Sequence, residues 1–187
     1  SHDHADQTNG FDDLRAFVVK HRRQIPVSMD AATWANLASR FGYAFQSKGA
    51  YPAIVTHGPR LEPLKPVAID GPGGPLSVTP LDQDHGFMRS LGFRVGPVGY
   101  SNDLVGMPEE SFAALRGLSL WIVDALREAP HPTHAHLGRA LEWVERLKPA
   151  HTVLTNMHID LDYATLKAKL PAGVEPGYDG WAADFPI

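Results

Sequence analysis

Ser1-His2-Asp3-His4-Ala5-Asp6-Gln7 sets two imidazoles and a carboxylate, those of His2, His4 and Asp6, in one short run at the start of the chain. Three lone groups of the same kind follow: His85 in Asp84-His85-Gly86, Asp103 in Tyr100-Ser101-Asn102-Asp103, and His158 in Thr155-Asn156-Met157-His158. Neutral imidazole nitrogen and carboxylate oxygen are the usual donors for zinc, manganese and iron. One HxHxD run is a modest signal, because short histidine-rich tracts also occur on surfaces. The run followed in order by histidine, aspartate and histidine, each at the end of a strand-like segment, is far more specific. It points to a metal-dependent hydrolase.

The rest of the composition narrows the chemistry. The 187 residues carry a formal net charge of -4 and no cysteine. That excludes a disulfide framework and thiolate ligands, leaving a nitrogen-and-oxygen site. No basic face suited to a nucleic-acid backbone is present, and Lys20-His21-Arg22-Arg23 reads as the solvated end of a helix. The longest apolar runs fall far short of a membrane span, and no charged-then-apolar leader opens the chain, so a cytoplasmic location is expected. The length fits a single domain, 1–187.

Strand-like and helix-like stretches alternate, which argues for an α/β layered architecture. Ile25 to Met29 reads as a short strand, and Ala31 to Phe45 as a helix capped by Asp30. Residues 46–75 are rich in Pro and Gly and read as loop with brief strands. Leu76 and Val78, then Leu91, Phe93 and Val95, alternate as half-buried strands do. Leu118 to Val123 is a continuous apolar run, suited to a strand covered on both faces. Leu137, Ala140, Leu141, Val144 and Leu147 recur at helical spacing until Pro149 stops the helix. His151 to Thr155 is then a strand that delivers His158 just past its end. The Gly71-Pro72-Gly73-Gly74 loop lacks the Lys-Ser/Thr pair of a phosphate-binding loop and reads as a turn. No G-x-S-x-G is present to carry a serine nucleophile.

The ordered ligand pattern resembles the metallo-β-lactamase superfamily, whose first motif reads HxHxDH and whose later ligands arrive as His, Asp, His. Ala5-Asp6-Gln7-Thr8-Asn9-Gly10 with Leu14-Arg15, His131-Pro132-Thr133-His134, and Gly177-Tyr178-Asp179-Gly180 are similar to the branch containing the phosphoribosyl cyclic phosphodiesterase of phosphonate breakdown. The resemblance implies an αββα sandwich. It also implies strands upstream of the HxHxD run, so the first sheet is expected to be incomplete and the run to sit on a terminus, where chains fray unless tied down.

The resemblance further implies two divalent ions, zinc or manganese. His2, His4 and His85 would hold one, Asp6 and His158 the other, with Asp103 bridging. Gln7 stands where the pattern has a histidine, and a neutral amide is a weaker donor, so the second ion is expected to bind loosely. Asp6 and His134 are the candidate catalytic residues; His134 would give a proton to the leaving oxygen. The alternative for His134 and Thr133 is that they only cap the following helix. His136 has no assigned role. Asp124, at the end of the apolar strand, is costly to bury unless paired; it either orients a metal-ligating imidazole or makes a helix-cap or loop hydrogen bond. His21, His57 and His151 read as ordinary surface or hydrogen-bonded histidines.

The function implied is hydrolysis of a small cyclic or nucleotide-like phosphodiester by metal-bound hydroxide. Two alternatives stand beside it: a lactonase or thioesterase using the same metals, and an inactive fragment or binding module with a remnant metal site. The His-Asp-His-Ala-Asp run is faintly similar to the HD phosphohydrolases, but those are all-helical and the strands argue against them. The expected partner is a small phosphodiester rather than nucleic acid or membrane, and a homodimer is left open.

Overall fold

The computed structural model describes residues 1–185, and the chain divides into two compact units, Ser1–Glu62 and Pro63–Ile187. The first unit opens with α1 (Ala5–Thr8), a 3-10 turn (Asn9–Asp13) and α2 (Leu14–His21). Arg22 takes a left-handed backbone and ends α2, so the basic cluster is the end of a helix as its composition suggests. β1 (Ile25–Val27) pairs in parallel with β2 (Val55–His57) in a two-stranded sheet. Between them run α3 (Ala31–Arg40) and α4 (Gly42–Phe45). The Asp30 side chain caps α3 by accepting from Thr33 N at 2.7 Å. The single helix expected over Ala31 to Phe45 breaks at Phe41, whose ψ of 35° leaves the helical range. Phe41 packs with Phe11, Leu14 and Phe45 around the buried Val18, Ala44, Ile54 and Val55.

The second unit is built on one seven-stranded sheet in the order β3-β4-β5-β6-β7-β8-β9. β3 (Val67–Gly71), β4 (Gly74–Asp84), β5 (Arg89–Val95) and β6 (Val98–Ser101) pair antiparallel with one another in that order. α5 (Glu109–Ala114) leads to β7 (Leu120–Asp124), α6 (Leu137–Leu147) to β8 (His151–Thr155), and α7 (Tyr163–Lys169) to β9 (Val174–Pro176). From β6 to β9 the pairing is parallel, which such helical crossovers require.

The core lies against one sheet face, where Leu81, Trp121, Val123 and Leu154 meet Leu115, Leu137, Ala140 and Leu166. The predicted stripe of α6 supplies Leu141, Val144 and Leu147 to the same cluster. Lys148 then turns left-handed and ends the helix before Pro149. Parallel strands deliver their following loops to one edge of a sheet, and the chemistry-bearing residues stand there.

Candidate metal centre

In the first unit, a helix side chain holds the HxHxD run in place. Arg40, the last residue of α3, donates to Asp3 O at 2.8 Å, Thr8 Oγ1 at 3.2 Å and Asn9 Oδ1 at 3.0 Å. Thr8 Oγ1 in turn donates to His4 O at 2.8 Å. The His2 and His4 rings meet edge to face with centroids 4.6 Å apart. His2 is buried and Asp6 exposed. The Gln7 amide donates to Asp6 Oδ2 at 3.4 Å, so it lies beside the carboxylate that its position implies. His57 stacks on Trp34 and His21 is exposed at its helix end, as ordinary histidines do.

In the second unit, β4 ends at Asp84 and presents His85, which is 1% exposed. The Asp84 carboxylate accepts from Gly86 N, closing the turn. Gly86 has φ +79°, and a Cβ there would lie 2.7 Å from Thr133 Cγ2 and 3.0 Å from Pro132 O. That close approach lets Thr133 O meet His85 Nδ1 at 2.7 Å. A carbonyl only accepts, so Nδ1 carries the proton and Nε2 holds the lone pair a cation needs.

Asp103 follows β6, is 4% exposed, and has φ +54°. Asp tolerates the left-handed region better than most residues. Its turn is held by a buried polar set that the sequence alone did not single out. Gln83 Nε2 donates to Ser90 Oγ and Asn102 O, and Ser90 Oγ donates to Asp103 O at 2.6 Å. One donor atom from each of His85, Asp103 and His134 lies within 4.8 Å of the others. The His85 imidazole and the Asp103 carboxylate, both shielded from water, suit a divalent cation, and His134 stands beside them.

His134 is paired with Asp124. Its Nδ1 lies 2.8 Å from Asp124 Oδ2, and Asp124 is fully buried at the end of β7. The carboxylate accepts, so His134 is protonated at Nδ1 and its Nε2 is the other reactive atom. Asp124 also accepts from Leu104 N and from Asn156 Nδ2, each at 3.4 Å. Asp124 thus does two things at once: it holds the His134 imidazole and accepts a loop hydrogen bond from Leu104 N. Neither Thr133 nor His134 caps the helix: α6 begins at Leu137, and His136 Nδ1 accepts from Arg139 N at 3.2 Å. Nearby His131 has its pKa lowered, first by burial and then by repulsion from His134 and Arg127. The Tyr100 hydroxyl is pushed up by burial and by the charges of Asp103 and Asp124.

His158 stands apart from this cluster. Its side chain is 51% exposed, with Nδ1 3.1 Å from Asp160 Oδ2. The residue facing Asp103 from the end of β8 is Asn156, whose amide donates to Asp103 Oδ1 and Asp124 Oδ1 at 3.4 Å each. Asn156 has φ +61°, a left-handed turn that sends the following residues away. His151, the third of the ordinary histidines, hydrogen-bonds Glu175 at 2.8 Å.

Residues 1–159 match the β-lactamase superfamily domain. The chain belongs to that family. As a β-lactamase superfamily member it has the expected α/β, metallo-β-lactamase-like fold. The crystal structure of a new diphosphatase from the PhnP family matches with a TM-score of 0.86 and 29% identity, over 100% of this chain and 70% of that one. The metallo-β-lactamase fold protein YhfI of Bacillus subtilis matches with a TM-score of 0.76 and 15% identity, over 97% and 73%, and shows the fold alone. Among curated proteins, an octanoyltransferase of Porphyromonas gingivalis is 28% identical over 98% of this chain, which spans only 36% of that protein. This superfamily member thus resembles the PhnP branch, as its motifs suggest. Among the described residues no helix is long and apolar enough to cross a membrane.

Proposed function

We propose that the protein is a divalent-metal-dependent hydrolase of small phosphodiesters, cyclic or nucleotide-like. The observation that carries this reading is the His134–Asp124 pair beside His85 and Asp103. A hydrolase that expels an alkoxide needs both cation-binding groups and a proton donor, and the two stand together here. The likeness to a diphosphatase of the PhnP family supports phosphorus rather than carbon as the centre attacked.

His85 and Asp103 serve as ligands. His2, His4 and Asp6 complete the set on the family order of the motifs, Gln7 weakens the second position, and zinc or manganese fits these donors. Divalent ions held by these residues would supply a nucleophile at neutral pH and offset charge on the reacting oxygens. The protein's own part is orientation and proton transfer. Thr133 O fixes the His85 tautomer, the Gln83–Ser90 set fixes Asp103, and Asp124 fixes the His134 ring. His134 Nε2 then gives its proton to the leaving oxygen, and Asp124 offsets the positive charge that the ring bears as an acid.

General-acid help contributes typically 10²–10⁴-fold and matters most for a basic leaving group. His134→Ala is expected to slow an alkyl diester by roughly that factor, and a nitrophenyl diester far less, at unchanged metal content. Equal slowing of both, or loss of metal, would contradict the acid role. Faster turnover of lactones or thioesters than of any phosphodiester would contradict the phosphodiesterase reading.

A further inference from the structure

Gly177-Tyr178-Asp179-Gly180 has no part in the chemistry described above, yet it walls a cavity beside it. The cavity, about 390 Å³, is lined by Ile122, Val153, Asn156, Tyr178, Asp179 and Trp181, together with neighbours on the same strand ends. That volume falls in the range of small-molecule sites, roughly 300–1,000 Å³. Thr155, Asn156 and Met157, at and just past the end of β8, line one side of it, at the edge where open parallel sheets hold ligands. Asn156 is shared between this cavity and the Asp103–His134 cluster.

We infer that this cavity is the subsite for a planar heteroaromatic ring, a nucleobase, carried on one ester arm of the substrate. The inference rests on the phosphodiesterase reading and chooses, within it, a base-bearing diester over a bare sugar phosphate. Ile122 and Val153 are register partners on adjacent strands and form an apolar floor. A sugar, mostly hydroxyl, gains little on such a floor, whereas the face of a base gains its full apolar area. Tyr178 and Trp181 supply ring faces, and a base–aromatic stack is worth about 1–3 kcal/mol. The Asp179 carboxylate accepts from a ring N–H or an exocyclic amine. The same charge repels phosphate, which leaves the phosphorus to the other side of Asn156, where Asp103 and His134 stand.

The walls are held before any ligand arrives. Trp181 Nε1 donates to Glu175 Oε1 at 3.0 Å, and the ring lies parallel to His151 at 6.3 Å. Trp181 N donates to Tyr178 O at 2.9 Å, and the Tyr178 ring meets Tyr163 edge-on. Gly177 N donates to Leu154 O, and a Cβ at Gly177 would come within 3.0 Å of that oxygen, so the segment lies flush against β8.

Calorimetric titration of the full chain with adenosine, guanosine and D-ribose tests this without turnover. Saturable binding of at least one nucleoside and none of ribose is expected. Trp181→Leu should weaken nucleoside binding about tenfold or more, while Trp181→Phe keeps a ring and most of the affinity. In turnover, Trp181→Leu should raise KM for the p-nitrophenyl ester of thymidine 5′-phosphate far more than KM for methyl p-nitrophenyl phosphate. No saturable nucleoside binding by the wild type, or equal binding of ribose, overturns the subsite. So does a folded Trp181→Leu variant that binds as the wild type does. Diester hydrolysis without nucleoside binding overturns the subsite alone; nucleoside binding without hydrolysis of any diester overturns the reaction and leaves the subsite standing.

Discussion

Gly86 has no side chain to offer, yet the geometry of His85 depends on it. Its positive φ and the 2.7 Å gap to Thr133 leave no room for a methyl group. Gly86→Ala should cost about 1–3 kcal/mol through left-handed strain alone, read as a lower urea midpoint, with divalent-ion affinity falling as Thr133 O leaves His85. A variant as stable and as tight as the wild type would show that this contact is not needed. At this scale the sequence was readable where chemistry and order coincide. His85, Asp103 and the charge of Asp124 are legible because an imidazole or carboxylate at a strand end has few bland uses. His158 and Asn156 were not separable in Thr155-Asn156-Met157-His158. The choice rests on one left-handed backbone at Asn156, and no residue-type rule reports which side chain such a turn leaves facing the site. The Gln83–Ser90 support was invisible for a related reason: buried amides and hydroxyls in a strand look like any polar alternation.

Among the elements, α3 and α6 show how local signals succeed and stop short. The Asp30 cap and the Leu137-to-Leu147 stripe were readable, since capping and helical period are local properties. The break at Phe41 was not, because its ring is drawn to Phe11 and Phe45 by packing that no local pattern encodes. Asp30→Ala should cost about 1 kcal/mol, the usual worth of an N-cap, seen as a shift in the unfolding midpoint. Arg40 does something different, tying α3 to the HxHxD run through Asp3, Thr8 and Asn9. In Arg40→Ala, amide exchange in residues 2–9 should quicken while α6 and β8 exchange as before. Uniform exchange in both proteins would mean that another contact holds the run.

For the molecule as a whole, acid stability follows from these parts. The Glu175 carboxyl is held below its ordinary value of 4.5, first by the Trp181 N–H and then by His151. A depressed carboxylate stabilises the fold above its unfolded pKa, and that contribution is lost as pH falls through the lower folded value. Glu175→Gln should therefore be less stable than the wild type at pH 7, with the gap closing below the ordinary glutamate range. A gap that widens on acidification would contradict the sign. The account as a whole stands on cation-assisted hydrolysis at Asp103. The most direct measurement is the hydrolysis rate of bis-p-nitrophenyl phosphate by chelator-stripped protein, before and after zinc or manganese is returned, in the wild type and in Asp103→Ala. The account predicts that the ion restores the wild-type rate and leaves Asp103→Ala inactive. Full activity in the stripped protein, or equal restoration in Asp103→Ala, would contradict it.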